Sequence, residues 1–153
     1  MKKSYWERTD LEKIQSQWHK LTGLHTREEW SAAIVRAATA AELAANFAIR
    51  KEFVSRGKFD TKFVDTLLLW ANGLAGKTDH LLLPLTVGKK EHKTIKKLKA
   101  MSGQINGKRN SIVHRGEFCN EGEAKAAIQR ARIFIETLVQ MHQPTFKLKD
   151  KKS

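Results

Sequence analysis

The chain has few of the features that staple a fold, span a membrane or cradle a cofactor. Its 153 residues hold one cysteine, Cys119, so no internal disulfide can form and a reducing compartment is expected. The longest aliphatic runs, Leu67-Leu68-Leu69 and Leu81-Leu82-Leu83-Pro84-Leu85, are far shorter than a bilayer span. Met1 to Glu7 carries charges with no apolar run behind them, which argues against a secretory signal. There is no Gly-rich phosphate loop, no internal repeat and no strand pattern of useful length. Asp79-His80 has no second pair at zinc spacing, so it reads as a helix cap and loop. No metal and no cofactor are expected, and a cytoplasmic protein that is not membrane-bound is. Acid is also scarce: 16 Asp plus Glu face 29 Lys plus Arg, a formal net charge of +13. Such an excess favours a polyanion, whether RNA, DNA or an acidic protein, and carries no sequence preference.

What the chain does have is helical periodicity. From Ser4, read as an N-cap, the spacing Trp6, Leu11, Ile14, Trp18, Leu21 predicts a first helix that ends at Gly23, its tryptophans packed onto the bundle. Thr26-Arg27-Glu28-Glu29 reads as a capping box for a second helix reaching about Ser55, where Arg56-Gly57 stops it. Its middle is small and apolar, Ala37 to Ala41 and Ala44-Ala45, interrupted by Glu42, an acid that needs a partner if it is buried. Asp60 caps a third helix with Phe63, Leu67, Trp70, Ala71 and Leu74 in register, closed between Gly73 and Gly76. A basic run follows Gly88: Lys89, Lys90, Lys93, Lys96, Lys97 and Lys99, with Lys108 and Arg115 further on. The last helix runs from Glu121 to His142 through Ala124, Ala127, Ile128, Ala131, Ile135, Leu138 and Val139, and Gln143-Pro144 ends it. The expected fold is an all-α bundle of about five helices in one domain over 1–143, with 144–153 a charged, disordered tail.

The functional information is concentrated at the end of the basic helix. Ile95, Leu98, Ser102, Ile105, Arg109 and Ile112 recur at three-then-four spacing, so a long cation interrupts a largely apolar stripe. Beside it runs a column of Gly103, Gly107, Asn110 and His114, suited to the close approach of another helix, from within the chain or from a second copy. Gly116 offers the left-handed position that ends a helix. Spacing alone favours the ordinary reading, with Arg109 a snorkelling side chain and Asn110 and His114 helix-end groups. Taken together, the three are a fixed cation for phosphate, an amide to position it and a residue of the type that can serve as a base near pH 7, which is a minimal kit for cutting RNA.

Arg109-Asn110, three residues and His114, followed by Arg115-Gly116-Glu117, resembles the Arg-x4-6-His signature of HEPN domains, small all-helical domains found in many prokaryotic toxin and defence ribonucleases. The likeness covers about Thr26 to His142, with an Ala-rich helix upstream and an amphipathic helix downstream of the motif. The resemblance implies a homodimer with two Arg-x4-His motifs facing one cleft, and metal-independent endoribonuclease activity with Arg109, Asn110 and His114 as catalytic groups. Around them, Glu42 is expected to orient Arg109, with Arg115 in support. Lys93, Lys96, Lys97 and Lys108 are expected to guide the RNA backbone. An antitoxin or other regulatory protein is a further expected partner. The alternatives are an RNA- or nucleotide-binding module without turnover and a protein-interaction domain.

Overall fold

The alanines at 37, 38, 40, 41, 44, 45 and 48 leave the second helix with almost no radius, so neighbours close in on it from several sides. The structure, a computed structural model, describes residues 3–57, 59–71 and 73–150. A 3-10 turn, Tyr5–Glu7, precedes α1 (Asp10–Thr26), α2 (Trp30–Arg56) and α3 (Thr61–Trp70). An irregular α4 follows: a turn of α-helix, Gly73–Lys77, continues into a π-helical turn, Thr78–Leu82, and a last turn, Leu83–Leu85. The long α5 (Glu91–Arg115) and α6 (Glu121–Gln140) complete an all-α bundle, and there is no strand among the described residues.

α2 is the axle, touching α1, α3, α4, α5 and α6. Ala33, Ala40, Ala41, Ala44, Ala45 and Ile49 are fully buried, and Ile14, Trp18, Leu21, Phe134, Ile135, Leu138 and Val139 close over them from α1 and α6. Each such large side chain contributes about 1.5–3 kcal/mol by leaving water. By length and composition α2 is apolar enough to cross a membrane although it holds no long aliphatic run, because much of its apolarity is alanine. In this fold its flanks are mostly covered by the other helices.

Several boundaries differ from expectation. Ser4 precedes only the short 3-10 turn, and α1 is opened by Thr9, whose hydroxyl accepts from Glu12 N (3.2 Å) while Glu12 reaches back to Thr9 N (3.1 Å). Trp18 is fully buried, but Trp6 is 85% exposed, outside the helix that was to carry it inward. α1 runs through Gly23 to Thr26, so the capping box read at Thr26 does not form; the Thr26 hydroxyl donates back to Thr22 O. A Schellman-type turn ends α1 instead: Glu29 N donates to Leu24 O, Glu28 N to His25 O, and Glu28 takes a left-handed φ of +62°. In α3, Asp60 caps as expected, yet the buried pair is Val64 and Leu68, while Phe63 and Trp70 face outward. That helix touches only one neighbour closely, so its apolar pattern is not decided by packing on two sides.

The tail also departs from expectation. Residues 144–150 fold back between α1 and α6, with Leu148 buried. Leu148 N donates to Glu136, Gln15 pairs with the backbone of Lys149 in both directions, and Asp150 accepts from Trp18 Nε1 and Arg132. Charged composition predicts disorder here, but composition does not show that one leucine and one aspartate each find a ready-made seat. The end of that segment, 151–153, lies outside the described residues.

Candidate functional site

α5 owes its position to Ile95, Leu98, Ser102 and Ile105, which are buried against the bundle. It runs antiparallel to α2: Ile112 packs in a cluster with Ile34 and Trp30, while Ile105 lies beside Ala37 and Ala38. Arg109 continues the buried stripe into half-buried territory, and Gly116, at φ +66°, ends the helix as expected. The end of α5 thus projects past the core with its polar side chains still held by a rigid element.

Between α2, α4 and α5 lies a cleft of about 410 Å³, lined by Ala38, Thr39 and Glu42 from α2, Gly73 and Leu74 from α4, and Asn106, Arg109, Asn110 and His114 from α5. Three residues read from the sequence as catalytic therefore share one solvent-reachable cavity. Arg109 donates to Asn110 Oδ1 (3.2 Å), and no carboxylate pairs with its guanidinium among the described residues. The His114 ring is exposed, with no hydrogen-bond partner among the described residues. A half-buried, unneutralised guanidinium beside a free imidazole can hold an anion and take a proton.

Glu42 does line the cleft, but its partner is not Arg109. Lys77 Nζ donates to Glu42 Oε1 at 2.8 Å; the Lys77 side chain is only 5% exposed, that of Glu42 38%. Lys77 enters from α4, an irregular helix where the spacing predicts the close of the third helix at Gly73 to Gly76 followed by a cap and loop at Asp79-His80, so nothing in the spacing announces it. Asn106 is the other residue missed. Its Oδ1 accepts from Leu74 N (3.1 Å) and Ala75 N (3.5 Å), capping α4 from α5 across the cleft. Gly73 makes this possible: it adopts φ +66°, and a Cβ there would stand 2.9 Å from Asn106 Oδ1. Asn106 precedes Asn110 by one helical step, the one signal that could have placed it in the polar column.

The basic residues divide. Lys93, Lys96 and Lys97 are exposed and carry no ion pair among the described residues, but Lys97 is seventeen positions from His114, ~26 Å along the helix. Arg115 is exposed and outside the cleft lining. Lys108 is not a free cation. It bridges Glu117 (2.7 Å) and Glu123 (2.6 Å), and these hydrogen bonds hold its ammonium well above the ordinary lysine range. The same ammonium lowers Glu123. Glu117, Cys119 and Glu123 have donor atoms within 4.8 Å of one another, the metal-like grouping among the described residues, and Lys108 already supplies its positive charge. Instead of reaching RNA, Lys108 clamps the turn after His114 onto the start of α6.

Gly103 and Gly107 are exposed, and a Cβ at either would meet nothing within 4 Å, so among the described residues no helix packs on these two glycines. No family model matches the chain, and neither a curated protein nor a solved structure is significantly similar to it.

Proposed function

We propose that this protein is a cytoplasmic, metal-independent endoribonuclease of toxin or defence type, with HEPN-like chemistry at the end of α5. The observation that carries the reading is the common cleft of Arg109, Asn110 and His114. His114 takes the proton from a ribose 2′-OH, whose oxygen attacks the adjacent phosphorus. As the O2′–P bond forms, the P–O5′ bond breaks. The leaving 5′ oxygen is reprotonated by the imidazolium of a second copy or by water, and a 2′,3′-cyclic phosphate remains. Arg109 stabilises the charge that builds on the phosphoryl oxygens, and Asn110, held by its bond to Arg109, fixes the geometry. DNA lacks the attacking hydroxyl and survives.

Two HEPN-like motifs act together in this reading, so the protein works as a homodimer. The open face at Gly103 and Gly107 supports it, since two exposed glycines let a second backbone approach. An uncontrolled ribonuclease would poison its host, so a regulatory partner belongs to the proposal. A second reading, RNA or nucleotide binding without turnover, is favoured by one observation: among the described residues no side chain hydrogen-bonds to the His114 ring.

The test is incubation of purified protein with RNA in EDTA. Products ending in cyclic phosphate that disappear in His114→Ala, by roughly 10²- to 10⁴-fold in rate, support the enzyme. Retention of RNA with no products supports the binder, and neither outcome leaves only the protein-interaction alternative.

A further inference from the structure

The cleft that is to hold a phosphate also presents a carboxylate. The buried Lys77 side chain donates to Glu42 Oε1, while Oε2 has no partner among the described residues. A carboxylate only accepts hydrogen bonds, and it repels phosphate. Whatever part of a substrate meets Glu42 must therefore offer N–H or O–H donors. Because α2 and α5 are antiparallel, Glu42 lies one turn past Ala38, toward the Asn106 end of the cleft and away from His114. Asn106 and His114 are eight residues apart on α5, ~12 Å along its axis. One end of the cavity thus carries the anion-binding and proton-accepting groups; the other carries a carboxylate acceptor and an amide.

We infer that Glu42 is a specificity residue that receives guanine, with its nucleotide's 3′-phosphate directed to Arg109 and His114; this rests on the reading that the cleft takes RNA. Among the four RNA bases, only guanine places two N–H donors, N1–H and the N2 amino group, side by side on one edge. That pair matches a carboxylate. The neighbouring O6 is an acceptor and needs a donor beside Glu42. Asn106 supplies one: its Oδ1 is committed to the backbone of α4, which leaves its amide N–H groups for the cleft. Adenine and cytosine present a single donor group there, and uracil flanks its one N–H with two carbonyls, which a carboxylate repels. Single-stranded RNA leaves this edge free to be read. Lys77 is a positioning residue, since it acts through Glu42.

The test is titration of the full chain with guanosine 3′-monophosphate, its inosine and adenosine counterparts, and guanosine 5′-monophosphate, followed by calorimetry. The expected result is binding of the guanosine 3′-nucleotide roughly 10- to 100-fold tighter than of the inosine and adenosine forms, a gap that closes in Glu42→Gln. Inosine lacks only the N2 amino group, so equal binding of inosine and guanosine overturns the inference, as does a preference that survives in Glu42→Gln. Tighter binding of the 5′- than of the 3′-nucleotide overturns the RNA orientation in favour of a free guanine nucleotide. Should Glu42→Gln not fold, Asn106→Asp, which replaces the amide donor by an acceptor, is expected to remove the preference over adenosine, whose C6 carries a donor, and to weaken guanosine and inosine alike, since both carry O6; an unchanged preference over adenosine overturns the inference. The two readings fail separately. RNA cut without base preference removes guanine recognition and leaves the nuclease; a guanine preference without any cutting removes the nuclease and leaves the binding site.

Discussion

Lys77 is buried, and its ammonium donates to Glu42 across 2.8 Å, while Glu42 itself stays partly open to water. The pair is therefore lopsided. Removing the acid strands a cation in the interior, whereas removing the cation leaves a carboxylate that solvent can still reach. Glu42→Ala is expected to cost ~3 kcal/mol and Lys77→Met ~1 kcal/mol or less, with the double variant close to Lys77→Met. Urea denaturation of the three variants checks the order; equal costs for the two single variants would refute the asymmetry.

Lys108 and Lys96 look alike in the sequence and differ in the structure. Lys108 is spent on Glu117 and Glu123, and Lys96 is exposed, without an acidic partner among the described residues. If the protein holds RNA through α5, Lys96→Ala is expected to lower the slope of log affinity against log salt by about 1, one released counterion fewer. Lys108→Ala should leave that slope unchanged and lower the melting temperature, because two carboxylates lose their cation. RNA filter binding across a salt series, beside thermal unfolding, separates the two.

The folded-back tail makes its own prediction. Leu148 is 6% exposed, among core side chains of α1 and α6. Leu148→Ala is expected to destabilise the fold by ~2–3 kcal/mol, an effect a disordered tail could not produce. Equilibrium unfolding measures it, and a change below ~0.5 kcal/mol would return the segment to the surface.

His142 gives a pH signature. Burial lowers its pKa below the ordinary 6.5, outweighing the neighbouring Glu52 carboxylate at 3.5 Å, which raises it. Below 6.5 the unfolded chain then binds a proton that the folded imidazole declines. Stability from this group is complete above pH 6.5 and is lost as pH falls from there through the lowered value. Melting temperatures between pH 8 and pH 5 should fall on the acid side, and His142→Gln should flatten that part of the curve. An unchanged slope in the variant would remove His142 as the cause.

The helices were legible because their apolar positions repeat at the helical period. So were the cap at Asp60 and the left-handed stop at Gly116, since each rests on a local preference of one residue type. The start of α1 and the join to α2 differ from what local preference predicts. Ser4 and Thr26 are competent caps by type, but Thr9 and the turn at Glu28 carry out the work. Local preference names candidates, and packing against α2 chooses among them.

By itself, the sequence determined that this is an all-helical chain rich in positive charge, and that an arginine, an asparagine and a histidine leave the end of one helix on neighbouring faces. Those are properties of spacing within a single element. Only the tertiary structure decided what stands opposite them. The shortness of alanine on α2 opens the cleft; Gly73 lets α4 approach Asn106; Lys77 comes up from an irregular turn to take Glu42; and Lys108 turns away to bind two acids. Partners that meet across separate helices depend on which faces pack, and no periodicity within one helix encodes that.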